Sequence, residues 1–426
     1  MIIQNRGNVV EYVFLVTFFL VLGIAAFIRI RHPFWSVQPV FHTYDFWRYW
    51  VAYPYIISPG AASPATKFLN HRVVKTKEYL DATDEEQARI LDLIQCHYLR
   101  SDRILYTLTA DDLRVQCSSH VSAPSIVSLY YTDHYIRPDV SGGGTITNKP
   151  DMNGVLISYP VRFAFRGLPS LETVFFWEYI VVHREKDRDP MPARTLIQTH
   201  EANQRRMYGT DLPASLFRKD VDLSEGIQPF LQFTVSRFEL VPGRIGKPPL
   251  APHCTVTRIQ RDKMHVLIDF LFDMTTATAT ATATANTAAV PLDVYLFPEM
   301  PALQARIESN KWLAYTMQSR DRLLAIYVFK NTRVQHDDDG IEMELMSAQS
   351  LTEDKAFFAG WLHAMHDILA IQPEIGFITM SNVSHNHKII ETWKWKYGPC
   401  STHDAAFYFY NYVCPAKLPS QCWITL

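Results

Sequence analysis

The sequence has no paired-cysteine framework. Its six cysteines, Cys96, Cys117, Cys254, Cys400, Cys414 and Cys422, include no CxxC pair and no regular spacing, which excludes a disulfide scaffold and fits a reducing compartment. The cluster of Cys400, His403, Cys414 and Cys422 lacks the ligand spacing of a zinc finger, and the pairs His363/His366 and His385/His387 are equally short of a ligand set, so no metal is expected. Charge of one sign is also missing. The chain carries 41 basic and 43 acidic residues, a net charge of −2, which argues against a nucleic-acid partner. Asp337, Asp338 and Asp339 precede Gly340 without the rest of an EF-hand loop, and they read as a hairpin turn.

Apolar and aromatic residues are abundant instead. Of 426 residues 48% are hydrophobic, enough to bury a large core, most simply in two lobes. Aromatics reach 13%, which suits a protein that encloses a long apolar ligand and equally a well-filled core. The uncharged run 12–28, YVFLVTFFLVLGIAAFI, spans roughly 26 Å as a helix, close to the hydrocarbon thickness of a bilayer. Glu11 precedes it, and Arg29 and Arg31 follow. That bias places the rest of the chain on the cytosolic side. A cleaved signal peptide usually has its basic cluster first, so an uncleaved single-pass anchor is expected.

Periodicity and breakers divide the remainder of the chain. Residues 84–98 read as a helix capped by Thr83, with Ile90, Leu91, Ile94 and His97 on one side. Strands are expected at 126–131, 155–165 and 229–240, with a turn around Gly142-Gly143-Gly144. The breaker-rich stretch 243–252, GRIGKPPLAP, marks the lobe boundary. The resulting division is an anchor over 1–32, a first lobe over 33–242 and a second over 243–426. The second lobe opens with a helical segment and a Thr/Ala tract at 275–289, which has no apolar stripe and reads as an exposed loop or disordered insertion. Apolar runs at 312–329 and 342–346, helices at 354–371 and 388–396, and strands at 376–380 and 407–413 complete it. Their order loosely repeats that of the first lobe.

The stretch 175–197, FFWEYIVVHREKDRDPMPARTLI, says most about function. An apolar, β-branched run reads as a buried strand ending at His183. A charged turn leads into Arg188-Asp189-Pro190-Met191-Pro192-Ala193 and a helix with proline in its first turn. A strand, tight turn and helix start present free backbone N–H groups to an anion. The pyrophosphate of an acyl-coenzyme A is the favoured one. The GNAT acyltransferase loop has Arg or Gln, two residues, Gly, one residue, then Gly or Ala; Arg188 and Ala193 fit its ends, while Met191 replaces the glycine.

Three collinear segments resemble the N-myristoyltransferase family, two-lobed enzymes within the GNAT superfamily. PFWSVQPV (33–40) is similar to the family's Phe-Trp-x-x-Gln-Pro-Val, which closes over myristoyl-CoA. WEYIVVHREKDRDPMPARTLI (177–197) is similar to its oxyanion strand and coenzyme A loop, and AAFYFYNYVCP (405–415) to the aromatic strand before its carboxyl-terminal tail. The resemblance implies an α/β (α+β) fold of two fused GNAT-like lobes with mixed β-sheet and flanking helices, here preceded by one transmembrane helix. It implies transfer of myristate from myristoyl-CoA to the N-terminal glycine of a peptide or protein, by a monomer with no cofactor beyond that co-substrate.

Carried over residue by residue, the backbone N–H groups of Tyr179 and Ile180 form the oxyanion hole, where the strand would bulge. The terminal carboxylate of Leu426 is the base. It has to act on an amine with a pKa near ~8 although a free α-carboxyl sits near roughly 3.5, so desolvation or a concerted step is required. The apolar tail Cys422-Trp423-Ile424-Thr425-Leu426 suits burial. Phe34, Trp35, Ile180 and Val182 would contact the acyl-CoA, and Arg188, Asp189, Met191, Pro192 and Ala193 would line its pyrophosphate. Glu178 and Thr234 would meet the peptide. The chain departs from the family pattern at Glu178, where the family carries Asn, and at Asp187 and Asp189, which surround Arg188. Two other functions stay open: a GNAT-type transferase using a shorter acyl-CoA or a small amine, and a non-catalytic acyl-CoA-binding scaffold.

Overall fold

The computed structural model describes residues 2–426 except 51–53, 61–62, 64, 100–103, 133–135, 139–143, 147–150, 167–172, 184–188, 210–211, 213, 242, 244, 277–291, 321 and 337–339. Arg188, Asp187, most of the Thr/Ala tract and the three aspartates before Gly340 therefore lie outside the described residues.

One 15-stranded mixed sheet carries the molecule. Its centre is the antiparallel pair Leu231–Glu239 and Ser401–Tyr410. On one side follow Ser215–Asp220, Thr173–Val182 and Asp151–Phe165. On the other follow Ile375–Ser381, Gly340–Ser350, Arg322–His336, Trp312–Ser319 and Cys254–Ile259. Each side repeats one arrangement. An antiparallel hairpin (151–165 with 173–182, or 322–336 with 340–350) is followed by a helix (Met191–Tyr208, or Asp354–Ile371) and a strand parallel to the hairpin's second arm. The fold is the expected α/β class of mixed sheet and flanking helices. Leu231–Glu239 lies between Ile375–Ser381 and Ser401–Tyr410, so one sheet joins strands from both expected lobes.

Local sequence explains the elements around the sheet. Thr83 and Glu86 form a reciprocal capping box for Asp84–His97, satisfying N–H groups that no helical carbonyl reaches. Pro190 and Pro192 open Met191–Tyr208, and Gly209 closes it at φ 59°, a conformation glycine adopts without steric cost. The apolar run expected at 312–329 is two strands. They turn at Arg320 (φ 55°), inside the charged sequence Ser319-Arg320-Asp321-Arg322. The final segment is buried: Cys422–Ile424 adds a parallel strand beside Val294–Pro298, and Trp423 is fully enclosed. The helix Ile2–Arg31 is long and apolar enough over Val13–Arg31 to cross a membrane, and its large apolar side chains there are exposed. Arg31 pairs with Glu225 at 2.6 Å.

Candidate active site

The pairing of 151–165 with 173–182 slips between Ile157 and Ser158. Ile157 faces Tyr179 and Ser158 faces Trp177, which leaves Glu178 as the extra residue of a bulge. A bulge re-aims one side chain out of the regular alternation. Here it turns the Glu178 carboxylate into a cavity of about 200 Å³ shared with Lys330, Leu426, Arg218, Asp220, Glu344 and the rings of Tyr98, Tyr106, Phe233 and Phe407.

Glu178 accepts from the Tyr159 hydroxyl at 2.7 Å and from Lys330 Nζ at 3.2 Å. The same ammonium donates to the Leu426 main-chain oxygen at 3.3 Å. Burial raises the Glu178 pKa, but the Lys330 charge, the Tyr159 hydroxyl and Arg306 outweigh it and hold the carboxyl below its ordinary value. Across the cavity Arg218 meets Asp220 through both Nε and Nη2, at 3.0 and 2.9 Å, and approaches Glu344 at 3.4 Å. Against the cost of burial, that guanidinium holds Asp220 at about 2. With three carboxylates and two cations besides Leu426, the lining favours a positively charged visitor such as an ammonium.

The parallel pairing of Thr173–Val182 with Ser215–Asp220 ends at Trp177–Phe217. Beside Ser215–Asp220 lies an open groove of about 550 Å³, lined by Phe34 and Trp35, by Arg194 and Lys219, and by the carboxylates Asp222, Glu225 and Asp404 among others. Trp35 stacks on Phe217 with centroids 5.7 Å apart and planes 2° apart, and Phe34 is buried edge-on between Trp35 and Phe68. The strand alternation sends Ile180 to this side, where it packs in one cluster with Trp35, Trp177 and Leu196, and sends Tyr179 to the other. Met191–Tyr208 begins nearby, and a helix start can meet an anion with its first N–H groups. Here Asp189 Oδ1 accepts from Met191 N at 2.9 Å, Pro190 O accepts from Arg194 N at 3.2 Å, and Pro192 carries no N–H.

The three segments singled out in the sequence meet. Asn411 N donates to Pro39 O at 2.6 Å, Tyr410 Oη donates to Gln38 Oε1 at 2.6 Å, and the Trp177 and Tyr410 rings lie 5.2 Å apart. Phe34, Trp35, Ile180 and the helix start bearing Met191, Pro192 and Ala193 belong to the groove side, and Val182 pairs with Gly154 farther along the strand. Glu178 and Leu426 share the cavity, and Tyr179 follows the bulge. Thr234 stands apart. Its neighbour Phe233 lines the cavity, while the Thr234 hydroxyl donates to Asp404 at 3.1 Å. The sequence reading missed Lys330, Arg218, Asp220, Tyr98 and Tyr106. Only Lys330 left a signal, as a lone charge ending the apolar run Ala325-Ile326-Tyr327-Val328-Phe329.

No protein-family model matches the sequence, and no curated protein matches it either. Solved structures do match. Saccharomyces cerevisiae N-myristoyltransferase with bound myristoyl-CoA aligns at a TM-score of 0.61 and 11% identity over 93% of this chain and 99% of that one. A second structure of the same yeast enzyme gives 0.63 and 12% over 92% and 90%. A tandem GNAT protein from the clavulanic acid pathway gives 0.50 and 12% over 81% and 100%. The chain therefore has the tandem GNAT fold of N-myristoyltransferases, in a strongly divergent sequence.

Proposed function

We propose that the protein is an N-acyltransferase that moves myristate from myristoyl-CoA to the N-terminal glycine of a peptide or protein. The observation that carries this reading is the Glu178 bulge: it opens onto the cavity that also receives the Leu426 main-chain oxygen, with Lys330 bridging the two. In this reading the thioester lies along the groove of Trp35 and Ile180, its pyrophosphate at the start of Met191–Tyr208. The Tyr179 and Ile180 amides meet the oxygen that becomes negative as the amine attacks, where fixed donors lower the barrier most. The glycine amine enters as an ammonium, drawn by the acidic lining. It gives one proton to the Leu426 carboxylate, its nitrogen bonds the carbonyl carbon, the C–S bond breaks with its electron pair passing to coenzyme A sulfur, and the second nitrogen proton passes to that sulfur, leaving the amide and free coenzyme A.

Lys330 tunes this step. Shared between Glu178 and Leu426, the ammonium keeps the buried Glu178 carboxylate charged beside the Leu426 oxygen. The apolar helix Val13–Arg31 fits a single-pass anchor with the sheet on the cytosolic side, bringing a hydrophobic product next to a bilayer.

An acylation assay on the full chain, pairing a glycine-starting peptide with acyl-CoAs of graded length, tests the proposal. Myristoyl-CoA is expected to be the best donor, with the N-acetylated peptide inert. Turnover confined to acetyl-CoA and a small amine would assign the site to a different transferase. Acyl-CoA binding without turnover would make the protein a scaffold.

A further inference from the structure

A second, smaller cavity lies behind Tyr179 and next to the first, sharing Tyr106, Lys330 and Thr332 with it. Four of its lining residues are cationic (Arg306, Lys311, Lys330 and Arg333) and one, Asp112, is a carboxylate. Asp112 is already committed: it accepts from the Thr109 amide at 3.0 Å and from Arg333 Nη2 at 3.0 Å, and Lys311 lies 3.5 Å from it. Lys330 is divided between Glu178 and Leu426.

Arg306 is the unusual member. It is 3% exposed, and its guanidinium lies 4.9 Å from the Tyr159 ring centroid and 5.0 Å from that of Trp312. Such contacts satisfy the faces of a guanidinium and leave its edges to seek acceptors. No described residue accepts from its Nε or Nη2. The Glu178 charge and the Tyr159 hydroxyl offset its desolvation in part, and the two N–H sites left without an acceptor remain costly. Lys311 shows the same excess of positive charge. Burial and the Arg306 charge push its ammonium down to about 8, although Asp112 works the other way.

We infer that this cavity is a binding site for one small monovalent anion of halide size, held between Arg306 and Lys311. The volume of about 30 Å³ has room for a small ion or a water. A water could take up the free N–H groups of Arg306, but it would leave the lining positive even with Lys330 paired to Glu178 and Arg333 to Asp112; an anion answers both. The inference does not rest on the acyl-transfer reading, since it uses only residues behind the bulge.

Diffraction from the full-length protein crystallised in bromide tests it directly. An anomalous peak between Arg306 and Lys311 is expected; water density without anomalous signal there would overturn the inference. In solution, chloride should raise the melting temperature over gluconate at equal ionic strength, by an amount growing with the logarithm of its concentration. Arg306→Gln and Lys311→Met should each abolish that difference, while Arg261→Gln, an exposed control, should keep it. Coincident chloride and gluconate curves in the unmodified protein would contradict the site even if both variants failed to fold.

Discussion

In the first half of the sheet, Thr173–Val182 and Ser215–Asp220 part after Trp177–Phe217, and a groove beside Ser215–Asp220 is open between Trp35, Arg194 and Lys219. In the second half, Gly340–Ser350 and Ile375–Ser381 part after Leu345–Met380, next to a register shift that leaves Met346 unpaired as Glu178 is in the first. There the chain fills the space itself. Asn386 Nδ2 donates to the carbonyls of Leu345, Met346 and Ser381 at 3.2, 3.1 and 3.0 Å, and Ser347 Oγ donates to Ile424 O at 2.7 Å. The helices differ in the same sense. Met191–Tyr208 buries Gln198, Thr199, His200, Glu201, Asn203 and Gln204, whereas Asp354–Ile371 buries Phe357, Trp361, Ala364, Met365 and Ile368. Two copies of one arrangement have thus diverged, one kept polar and open, the other sealed. Splayed strands supply room for a ligand, and the side chains decide whether it is used.

The comparison can be broken most severely at Lys330. Lys330→Met leaves Glu178 buried without its cation, which should cost about 3 kcal/mol in chemical denaturation, the low end for such pairs because Lys330 is partly exposed. The acid limb of the transfer rate should move to higher pH, since Glu178 loses the charge that holds its carboxyl below the ordinary value. On the sealed side, Asn386→Ala orphans three carbonyls. It should cost about 2 kcal/mol while leaving acyl-CoA affinity, measured by calorimetry, unchanged. Trp35→Ala removes the stack on Phe217 from the open side, and about tenfold weaker acyl-CoA binding is expected, equivalent to about 1.4 kcal/mol.

The polar interior of the first-half helix yields a pH signature. His200 sits between the hydroxyls of Ser128 and Ser158, each 2.8 Å away, and burial pushes its pKa down to about 3. The unfolded chain binds a proton near pH ~6.5, so the stability from a neutral His200 is complete above that value. It falls as pH drops toward 3, by about 1.4 kcal/mol per pH unit at most. Denaturation at pH 7 and pH 5 should show a shallower loss in His200→Asn than in the unmodified chain.

Much of this was legible in the sequence, for physical reasons. The apolar runs and proline-opened helix of 175–197 announce a strand, turn and helix because burial and capping are local requirements. Asn411, at φ 61° with its side chain bonding Ser58, shows why Tyr410-Asn411 reads as a distinctive step. The turn at Arg320 carried no glycine or proline, and a charged tetrapeptide conceals it. Lys330, Arg218 and Asp220 belong to strands far apart in sequence, so no local pattern could gather them into one cavity. Thr234 illustrates the limit of alternation: a shift of one residue sends a side chain to the opposite face of the sheet.

In the proposed mechanism the Leu426 oxygen takes the proton in the cavity opened by the Glu178 bulge. Deleting Leu426 and measuring acyl transfer alongside acyl-CoA binding tests it most directly. Transfer is expected to fall by about two to four orders of magnitude, the range for losing a general base, while acyl-CoA still binds in the Trp35 groove. Undiminished transfer by the shortened chain would contradict it.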